Sequence, residues 1–251
     1  MTPSYLALGG NVGPVERTFK RALEQLDALP GTTVRSVSKV FRFPAVGAGA
    51  GGEFHNAAAR VDTNLEPLDL LHQLQRIEDR HGRVRDVVWG PRPLDVDLIF
   101  YGDRILSHPQ LRVPHPGCWY RRFVLDPLAE IAADVTHPGK QATVRELRER
   151  LLPRPLPVAL LGKQVKFRDE LLTTLSHEFA DVELTGADFA GWTSIDRPQV
   201  DEPALLIWLG TGKKRAAGRF QSLPLLSRLD VSQHPDPLES VRAILRSALG
   251  R

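Results

Sequence analysis

Two aspartates one residue apart, Asp95 and Asp97, are the residues of this chain whose type and spacing point most directly to chemistry. They alternate with Leu94, Val96 and Leu98, which is the pattern of a β-strand with polar and apolar side chains on opposite faces. Two carboxylates on one strand face repel each other, and magnesium relieves that repulsion because it prefers oxygen ligands. A solvated surface strand has the same short pattern, so the pair alone does not decide between these interpretations.

Arginines in the preceding segment supply the complementary charge. Arg83, Arg85 and Arg92 lie shortly before the aspartates. Pro91 and Pro93 stiffen the chain on either side of Arg92, so that this arginine and the aspartates are held in one geometry. Acidic residues for a metal ion beside arginines for phosphates form the arrangement used in nucleotide phosphoryl transfer. The segment therefore predicts a site of that kind.

The bulk composition is that of a folded protein of one or two domains. The chain has 251 residues and a formal net charge of +3, and its isoelectric point is about 9.2. This mild basicity favours an anionic partner, which a small phosphorylated molecule satisfies as well as nucleic acid does. Cys118 is the single cysteine, which excludes an internal disulfide, and no apolar run has the length of a signal segment or a membrane span. We therefore expect a cytoplasmic enzyme.

The first 150 residues have the periodicity of an α+β fold. Alternating segments predict strands, and apolar residues three or four positions apart predict helices. The predicted strands are Tyr5–Leu8, Val34–Phe41, Phe54–Val61 and the Asp95/Asp97 segment, and the predicted helices are Pro14–Leu29, Pro67–His81 and Val124–Ala132. The order β-α-β-β-α-β is that of a ferredoxin-like antiparallel sheet. Residues 46–52, rich in glycine, are either a plain connection or a lid over a site.

A proline-rich linker at residues 153–157 is predicted to separate a domain at 1–152 from a smaller one at 158–251. Its predicted strands are Val158–Leu161, Ala204–Leu209 and Leu225–Val231, and its predicted helices are Phe167–Phe179 and Pro237–Leu249. Strands alternating with helices predict an α/β domain with a parallel sheet. The segment Gly210–Lys214 lacks the spacing of a phosphate-binding loop, so we expect an accessory domain.

Residues 4–140 resemble the 6-hydroxymethyl-7,8-dihydropterin pyrophosphokinase family. Seven short motifs occur in the family's order and at nearly its spacing, which is too many for a chance match. They are Ala7–Asn11, Phe54–Ala58, Gln75–Glu78, Gly82–Arg85, Trp89–Arg92 with Asp95 and Asp97, Val113–Pro116, and Arg121–Leu125. The resemblance implies a ferredoxin-like fold and a step of folate biosynthesis, in which pyrophosphate passes from ATP to the hydroxymethyl group of 6-hydroxymethyl-7,8-dihydropterin and AMP leaves.

The resemblance also implies the cofactor and the site. Two magnesium ions would be held by Asp95 and Asp97, and the catalytic residues would be Arg83, Arg92, Asp95 and Asp97. The pterin would lie between two aromatic rings, and the residues implied to contact it are Phe43, Pro44, Val46, Phe54, Asn56, Asp95 and Phe123. The residues implied to contact ATP are Gln75, Glu78, Arg83, Arg85, Trp89, Arg92, Leu98, His115 and Arg121.

Three positions depart from the family's pattern. Gly10 stands where the family's turn usually has serine, Phe43 where a threonine is common, and Val88 where a basic residue is usual. None of these changes removes a metal ligand. We therefore expect an active enzyme whose pterin pocket is rebuilt near Phe43.

Two other classes of function remain open from the sequence. One is a folate-pathway protein that binds pterin or nucleotide, or acts as a scaffold, without turnover. The other is an RNA-binding module, but RNA binding on this fold needs exposed aromatic and basic residues where Asp95 and Asp97 stand. We expect ATP and the pterin as partners, with neither nucleic acid nor membrane. The second domain is expected to contact another copy of the chain or another folate enzyme, or to be a relic of a lost activity, and the sequence does not choose among these.

Overall fold

The computed structural model describes residues 1–45, 52–83, 91–162, 165–187, 203–210, 223 and 225–251. The chain forms two compact units. The first contains Met1–Arg148 together with Arg246–Arg251, and the second contains Glu149–Leu245. The last six residues group with the first unit, although the sequence analysis assigned them to the second domain.

The first unit is built from nine strands and four helices within its described residues. The strands are β1 (Thr2–Gly10), β2 (Thr32–Val37), β3 (Phe41–Phe43), β4 (Phe54–Thr63), β5 (Asp95–Tyr101), β6 (Leu106–His108), β7 (Leu111–Val113), β8 (Thr136–His137) and β9 (Ala142–Thr143). The helices are α1 (Val15–Asp27), α2 (Pro67–Arg80), α3 (Arg122–Ala132) and α4 (Val144–Glu149), whose last residue belongs to the second unit.

The main sheet of this unit has the strand order β2-β4-β1-β5, with β3 also paired to β4. All of these pairings are antiparallel, and the predicted ferredoxin-like α+β fold is confirmed. Helices α1 and α2 cover one face because their buried residues recur every three or four positions. These residues pack on the apolar side chains of β1 and β5, and the cluster includes Phe19, Ala22, Leu26, Leu70, Leu74, Ile77, Leu6, Leu8, Val96 and Leu98.

The single strand predicted at Val34–Phe41 is wrong, because the chain forms β2 and β3 there with a break between them. Ser38 lies in the break. Its backbone N–H donates to Ala58 O at 2.9 Å, while its own Oγ accepts from the Ala58 N–H at 2.8 Å. A hydroxyl therefore replaces the backbone carbonyl in the ladder, and the strand is interrupted without leaving the buried Ala58 N–H unsatisfied.

The second unit is a parallel α/β layer, as its sequence predicted. Its described strands are β10 (Leu156–Leu161), β11 (Val182–Ala187), β12 (Leu205–Trp208) and β13 (Arg228–Asp230), in the order β11-β10-β12-β13, and its helices are α5 (Val165–Glu178) and α6 (Pro237–Leu249). Strand β11 was missed by the sequence analysis. Strand β10 begins inside the segment predicted as a linker, because the Leu156 side chain is fully buried and its N–H donates to Asp181 O. None of the helices in the described parts of the chain could cross a membrane.

A buried histidine makes the stability of the first unit depend on pH. Burial lowers the pKa of His137 to about 4, and its ring Nδ1 accepts hydrogen bonds from the Gly139 and Lys140 N–H groups at 3.1 and 3.2 Å. The unfolded chain takes up a proton near the ordinary pKa of 6.5, whereas the folded chain resists protonation. The contribution of neutral His137 to the free energy of unfolding is therefore fully present above about pH 6.5, and it is lost as pH falls towards 4.

We expect the free energy of unfolding to decrease by up to about 3 kcal/mol from His137 between pH 6.5 and pH 4. Denaturant unfolding across this range would measure the change. His137→Asn, whose Oδ1 can accept the same two bonds, should flatten the pH profile, whereas His72→Asn on the exposed side of α2 serves as the control. Identical profiles for wild type and His137→Asn would contradict the assignment.

Candidate active site

Asp95 and Asp97 lie on the face of β5 opposite to the helices. Asp95 is paired in register with Gly9 of β1, and Asp97 is paired with Ala7, while the intervening Val96 and the following Leu98 are each 3% exposed. The alternation predicted from the sequence is therefore present. Leu98, implied as an ATP contact, is part of the helix-covered core.

The two carboxylates form a strained electrostatic pair. Burial and then the neighbouring charge of Asp95 raise the pKa of Asp97 to about 7. Arg83 Nη1 lies 2.5 Å from Asp95 Oδ1, and Arg92 Nη1 lies 3.5 Å from Asp95 Oδ2. Burial alone would lower the pKa of Arg83, yet Asp95 and Glu78 raise it above its ordinary value. The charge of Asp95 is therefore balanced by two arginines, whereas the ionised form of Asp97 is disfavoured.

Glu78 connects helix α2 to the aspartate strand. Its carboxylate is 2% exposed, accepts a hydrogen bond from the Val96 N–H at 2.7 Å and pairs with Arg83. Arg83 in turn pairs with Asp95, so that a helix carboxylate, a guanidinium and a strand carboxylate form one chain of contacts. Glu78 was implied as an ATP contact, but the structure places it behind the site, where it orients Arg83 and the strand. Gln75, three positions earlier, is half-buried.

Asn11 holds the backbone of Arg92, a role that the sequence analysis missed. The Arg92 N–H donates to Asn11 Oδ1 at 2.9 Å, and the Asn11 N–H donates to Arg92 O at 3.0 Å. The preceding Gly10 is closely packed, since an added Cβ would lie 2.6 Å from Pro93 O. This contact leaves no room for a side chain at position 10 unless the backbone shifts. The sequence signal for the role of Asn11 is its place in the turn directly after β1.

We expect Asn11→Ala to lower kcat about tenfold, because Arg92 loses the two-point attachment that positions its side chain beside Asp95. Stability should decrease by about 1 kcal/mol. Asn64→Ala provides a matched control. Like Asn11 after β1, Asn64 directly follows the last residue of a strand, β4. Steady-state turnover and a thermal melt would be measured for both variants, and an unchanged kcat in Asn11→Ala would contradict this role for Asn11.

Aromatic residues form a cluster beside the aspartates. Phe43 of β3 is paired in register with Phe54 of β4, and the rings of Phe43 and Phe123 meet edge to face with centroids 6.4 Å apart. The guanidinium of Arg92 lies over the Phe54 ring at 5.8 Å, and that of Arg121 lies over the Phe123 ring at 5.8 Å. The cluster therefore offers apolar ring faces bordered by positive charge.

Asn56 and Asp95 occupy one row across the sheet with a glycine between them. Asn56 of β4 and Asp95 of β5 are both paired with Gly9, and an added Cβ on Gly9 would lie 3.5 Å from Asn56 Oδ1 and 3.8 Å from the Asp95 Cβ. The Asn56 Nδ2 donates to Phe54 O at 3.2 Å. Because glycine has no side chain, the amide and the carboxylate border one open strip of the sheet face.

His115 and Arg121 lie on the loop between β7 and α3. The His115 N–H donates to Ile99 O, its ring Nδ1 accepts from the Gly117 N–H at 3.2 Å, and burial and then Arg121 lower the pKa of His115 to about 4. The ring is therefore neutral near pH 7. The Arg121 guanidinium packs on Gly117, where an added Cβ would lie 2.5 Å from Arg121 Cζ.

Several other implied site residues lie near or beyond the ends of the described segments. Pro44 is exposed directly after Phe43. Val46, Arg85, Val88 and Trp89 lie outside the described residues, and so do most of the glycine-rich loop at 46–52 and the segment from Thr211 to Lys214. The structure thus brings together the aspartates, Arg83, Arg92, Glu78, Asn56 and the three phenylalanines.

Comparison with known proteins places the first unit in a described family. A family model for 7,8-dihydro-6-hydroxymethylpterin-pyrophosphokinase (HPPK) matches residues 5–133. The 2-amino-4-hydroxy-6-hydroxymethyldihydropteridine pyrophosphokinase of Pseudomonas aeruginosa is 43% identical over 134 residues, which are 53% of this chain and 83% of that protein. The enzyme of the same name from Methylorubrum extorquens is 42% identical over 153 residues, which are 61% of this chain and 96% of that protein.

The matching family model does not reach the second unit. Nearly the whole length of the Methylorubrum protein is matched by 61% of this chain, and the family model ends at residue 133. A solved structure of Plasmodium falciparum HPPK-DHPS with pterin and p-hydroxybenzoate has a TM-score of 0.48 at 12% identity, over 80% of this chain and 58% of that one. That similarity is too low to assign the second unit.

Proposed function

The chain belongs to the 7,8-dihydro-6-hydroxymethylpterin-pyrophosphokinase family, and from this premise we propose how its described residues perform the family's reaction. The chain is an ATP-dependent pyrophosphokinase, which transfers a pyrophosphoryl group from ATP to 6-hydroxymethyl-7,8-dihydropterin in folate biosynthesis. The observation that carries the proposed site is the Asp95/Asp97 pair on one strand face, bordered by Arg83 and Arg92.

The donor set fits magnesium. Two carboxylates share one face, and their repulsion contributes to the raised pKa of Asp97, so a bound cation would favour the ionised form of both. No third acidic, histidine or cysteine side chain completes a metal cluster in the described parts of the chain. This matches magnesium, which commonly takes one or two carboxylates and completes its shell with water and substrate phosphates. When bound, magnesium would neutralise charge on the phosphate oxygens.

The arginines are proposed to bind phosphate. The Arg92 Nε is buried and has no hydrogen-bond partner among the described residues, and a phosphate oxygen would satisfy it. Arg83 is oriented by Glu78 and lies against Asp95, where it would face a phosphate chain bound at the aspartates. The remaining proposed ATP contacts are Gln75, Arg85, Trp89, His115 and Arg121.

The aromatic cluster is proposed to bind the pterin. Phe54 and Phe123 offer ring faces to a flat heterocycle, and Asn56 offers both a donor and an acceptor to its edge. Asp95 lies in the same row of the sheet as Asn56, so the bound pterin would meet the metal site at that end. Positioning of the hydroxymethyl oxygen against the β-phosphorus would then supply most of the rate acceleration, since phosphoryl transfer needs no strong protein base.

The second unit and the cellular location are also proposals. We propose that residues 158–251 form an accessory domain, which contacts a second copy of the chain or another folate enzyme. We propose a cytoplasmic location, because a single cysteine allows no internal disulfide and therefore suits a reducing compartment.

Pterin-dependent release of AMP tests the proposed function. The full chain would be incubated with ATP and magnesium, with and without 6-hydroxymethyl-7,8-dihydropterin, and AMP would be quantified. We expect AMP and the pterin diphosphate only when the pterin is present. Binding of nucleotide without AMP release would support the scaffold alternative, and a salt-dependent shift of RNA would support the nucleic-acid alternative.

A further inference from the structure

We propose that the segment Arg246–Arg251 helps to position the pterin site, because Gly250 packs against the ring of Phe43. The inference rests on the proposed function, since it assumes that Phe43 lines the pterin pocket. The segment belongs to the same compact unit as Phe43, although about 200 residues of sequence separate them. It lies beyond the residues that the family model matches.

The backbone turns sharply at Gly250 and is held in that turn. Gly250 has φ of +77°, a conformation that glycine adopts without steric cost. The N–H groups of Gly250 and Arg251 both donate to Arg246 O at 2.9 Å, which satisfies a carbonyl at the end of α6. The turn is therefore a built helix end with a defined geometry, and it fixes which atoms of Gly250 face Phe43.

Gly250 packs directly on the Phe43 ring. A Cβ added at Gly250 would lie 3.1 Å from Phe43 Cε1, which is closer than side chains normally approach, and 3.4 Å from Phe43 Cδ1. The absence of a side chain thus lets the backbone contact the ring. Phe43 is 8% exposed, pairs with Phe54 across the strands and touches the edge of Phe123. Phe43 therefore links Gly250 to the Phe123 ring and lies next to Phe54 on the neighbouring strand.

Arg122 ties the same segment to the start of α3. Its Nη1 donates to Leu249 O at 3.3 Å, and its Nη2 pairs with the buried Asp126 at 2.6 Å. A Cβ on Gly250 would also lie 3.5 Å from the Arg122 Cβ. Because Arg122 directly precedes Phe123, the segment contacts the supports of both Phe43 and Phe123.

The size of the Phe43 side chain makes this contact possible. The ring extends from β3 to Gly250. Phe43 and Gly250 thus act as a pair, in which one fills the wall of the pocket and the other supports it. We infer that both are positioning residues for the pterin, and that neither takes part in phosphoryl transfer.

The substitution Gly250→Ala tests the proposal through the KM for the pterin. The new Cβ should push the Phe43 ring towards Phe123 and raise this KM about five- to tenfold, the effect of misplacing one ring of a stacking pocket. The KM for ATP should stay within twofold. Gly102→Ala is the matched control, since Gly102 also has positive φ, of +53°, and an added Cβ would meet Thr2 Cγ2 at 3.2 Å. Gly102→Ala should change neither KM. An unchanged pterin KM in a folded Gly250→Ala variant would overturn the proposal.

Hydrogen–deuterium exchange of the unmodified chain gives an independent test, which does not depend on the variant folding. The amides of Gly250 and Arg251 should exchange more slowly with α,β-methylene-ATP, magnesium and 6-hydroxymethyl-7,8-dihydropterin than with α,β-methylene-ATP and magnesium alone. Slowed exchange in β4 without slowing at these two amides would overturn the proposal. If wild type releases no AMP and binds no pterin, the proposed function itself fails, whereas normal turnover with an insensitive segment rejects only this inference.

Discussion

Asp97→Asn is expected to lower turnover by about 1000-fold or more and, at the same time, to stabilise the fold. The loss of activity follows because the amide cannot supply the negative charge that a magnesium site on β5 needs. The gain in stability follows because the pKa of Asp97 is raised to about 7 by burial and by Asp95. Ionisation of Asp97 therefore opposes folding as pH rises from the ordinary value of 3.8 through about 7.

The stability gain should itself depend on pH. In EDTA at about pH 8, Asp97→Asn should raise the free energy of unfolding by about 1–3 kcal/mol, allowing for partial exposure and for Arg83 nearby. Near pH 4 the gain should vanish, because wild-type Asp97 is then protonated when folded. Denaturant unfolding at both pH values would be compared with AMP release, with Asp103→Asn, an exposed aspartate after β5, as the control. Near-normal turnover in Asp97→Asn would contradict the metal assignment.

Glu78→Ala is expected to destabilise the first unit by about 3–5 kcal/mol. The substitution removes the acceptor of the Val96 N–H and leaves Arg83 without its buried partner. Turnover of the folded fraction should also fall about tenfold or more, because Glu78 orients Arg83 against Asp95. Both effects arise from one buried carboxylate that need not touch a substrate.

Glu78→Gln separates the two contributions. Its Oε1 can still accept from the Val96 N–H but no longer carries charge for Arg83, so the loss of stability should be clearly smaller than in Glu78→Ala. Glu24→Ala, at an exposed glutamate of α1, is the control for helix substitution. Thermal melts and AMP release at a temperature where every variant is folded would be measured. Equal melting temperatures for Glu78→Ala and Glu24→Ala would show that the buried contact is not structural.

The proposed support of the pterin pocket comes from the end of a helix that begins in the second unit. Helix α6 starts among the residues of the second unit, yet its last turn groups with the first. If Arg246–Arg251 brace Phe43, an accessory domain of unknown role carries at its end a segment that the pterin site uses. Pterin affinity would then depend on residues that the family's described reaction does not require.

The sequence by itself determined the fold class and the family of the chain. The alternation around Asp95 and Asp97, the helical spacing of Leu70, Leu74 and Ile77, and the order of seven motifs all depend on neighbours within a few positions along the chain. Local spacing decides which face of a strand or helix a side chain occupies. For this reason the ferredoxin-like sheet could be inferred without coordinates, whereas the reaction was implied by the resemblance of the seven motifs to the pterin pyrophosphokinase family.

Only the tertiary structure decided which partners these residues meet. Glu78 reads as a helix-surface contact for ATP, but the approach of α2 to β5 buries it against Val96 and Arg83. Asn11 and Arg92 are 81 residues apart, and their mutual hydrogen bonds exist only because β1 and β5 are neighbours. Gly250 reads as a simple helix end, yet it supports Phe43. Such contacts join distant segments, and no local pattern encodes them, because each depends on how whole elements pack.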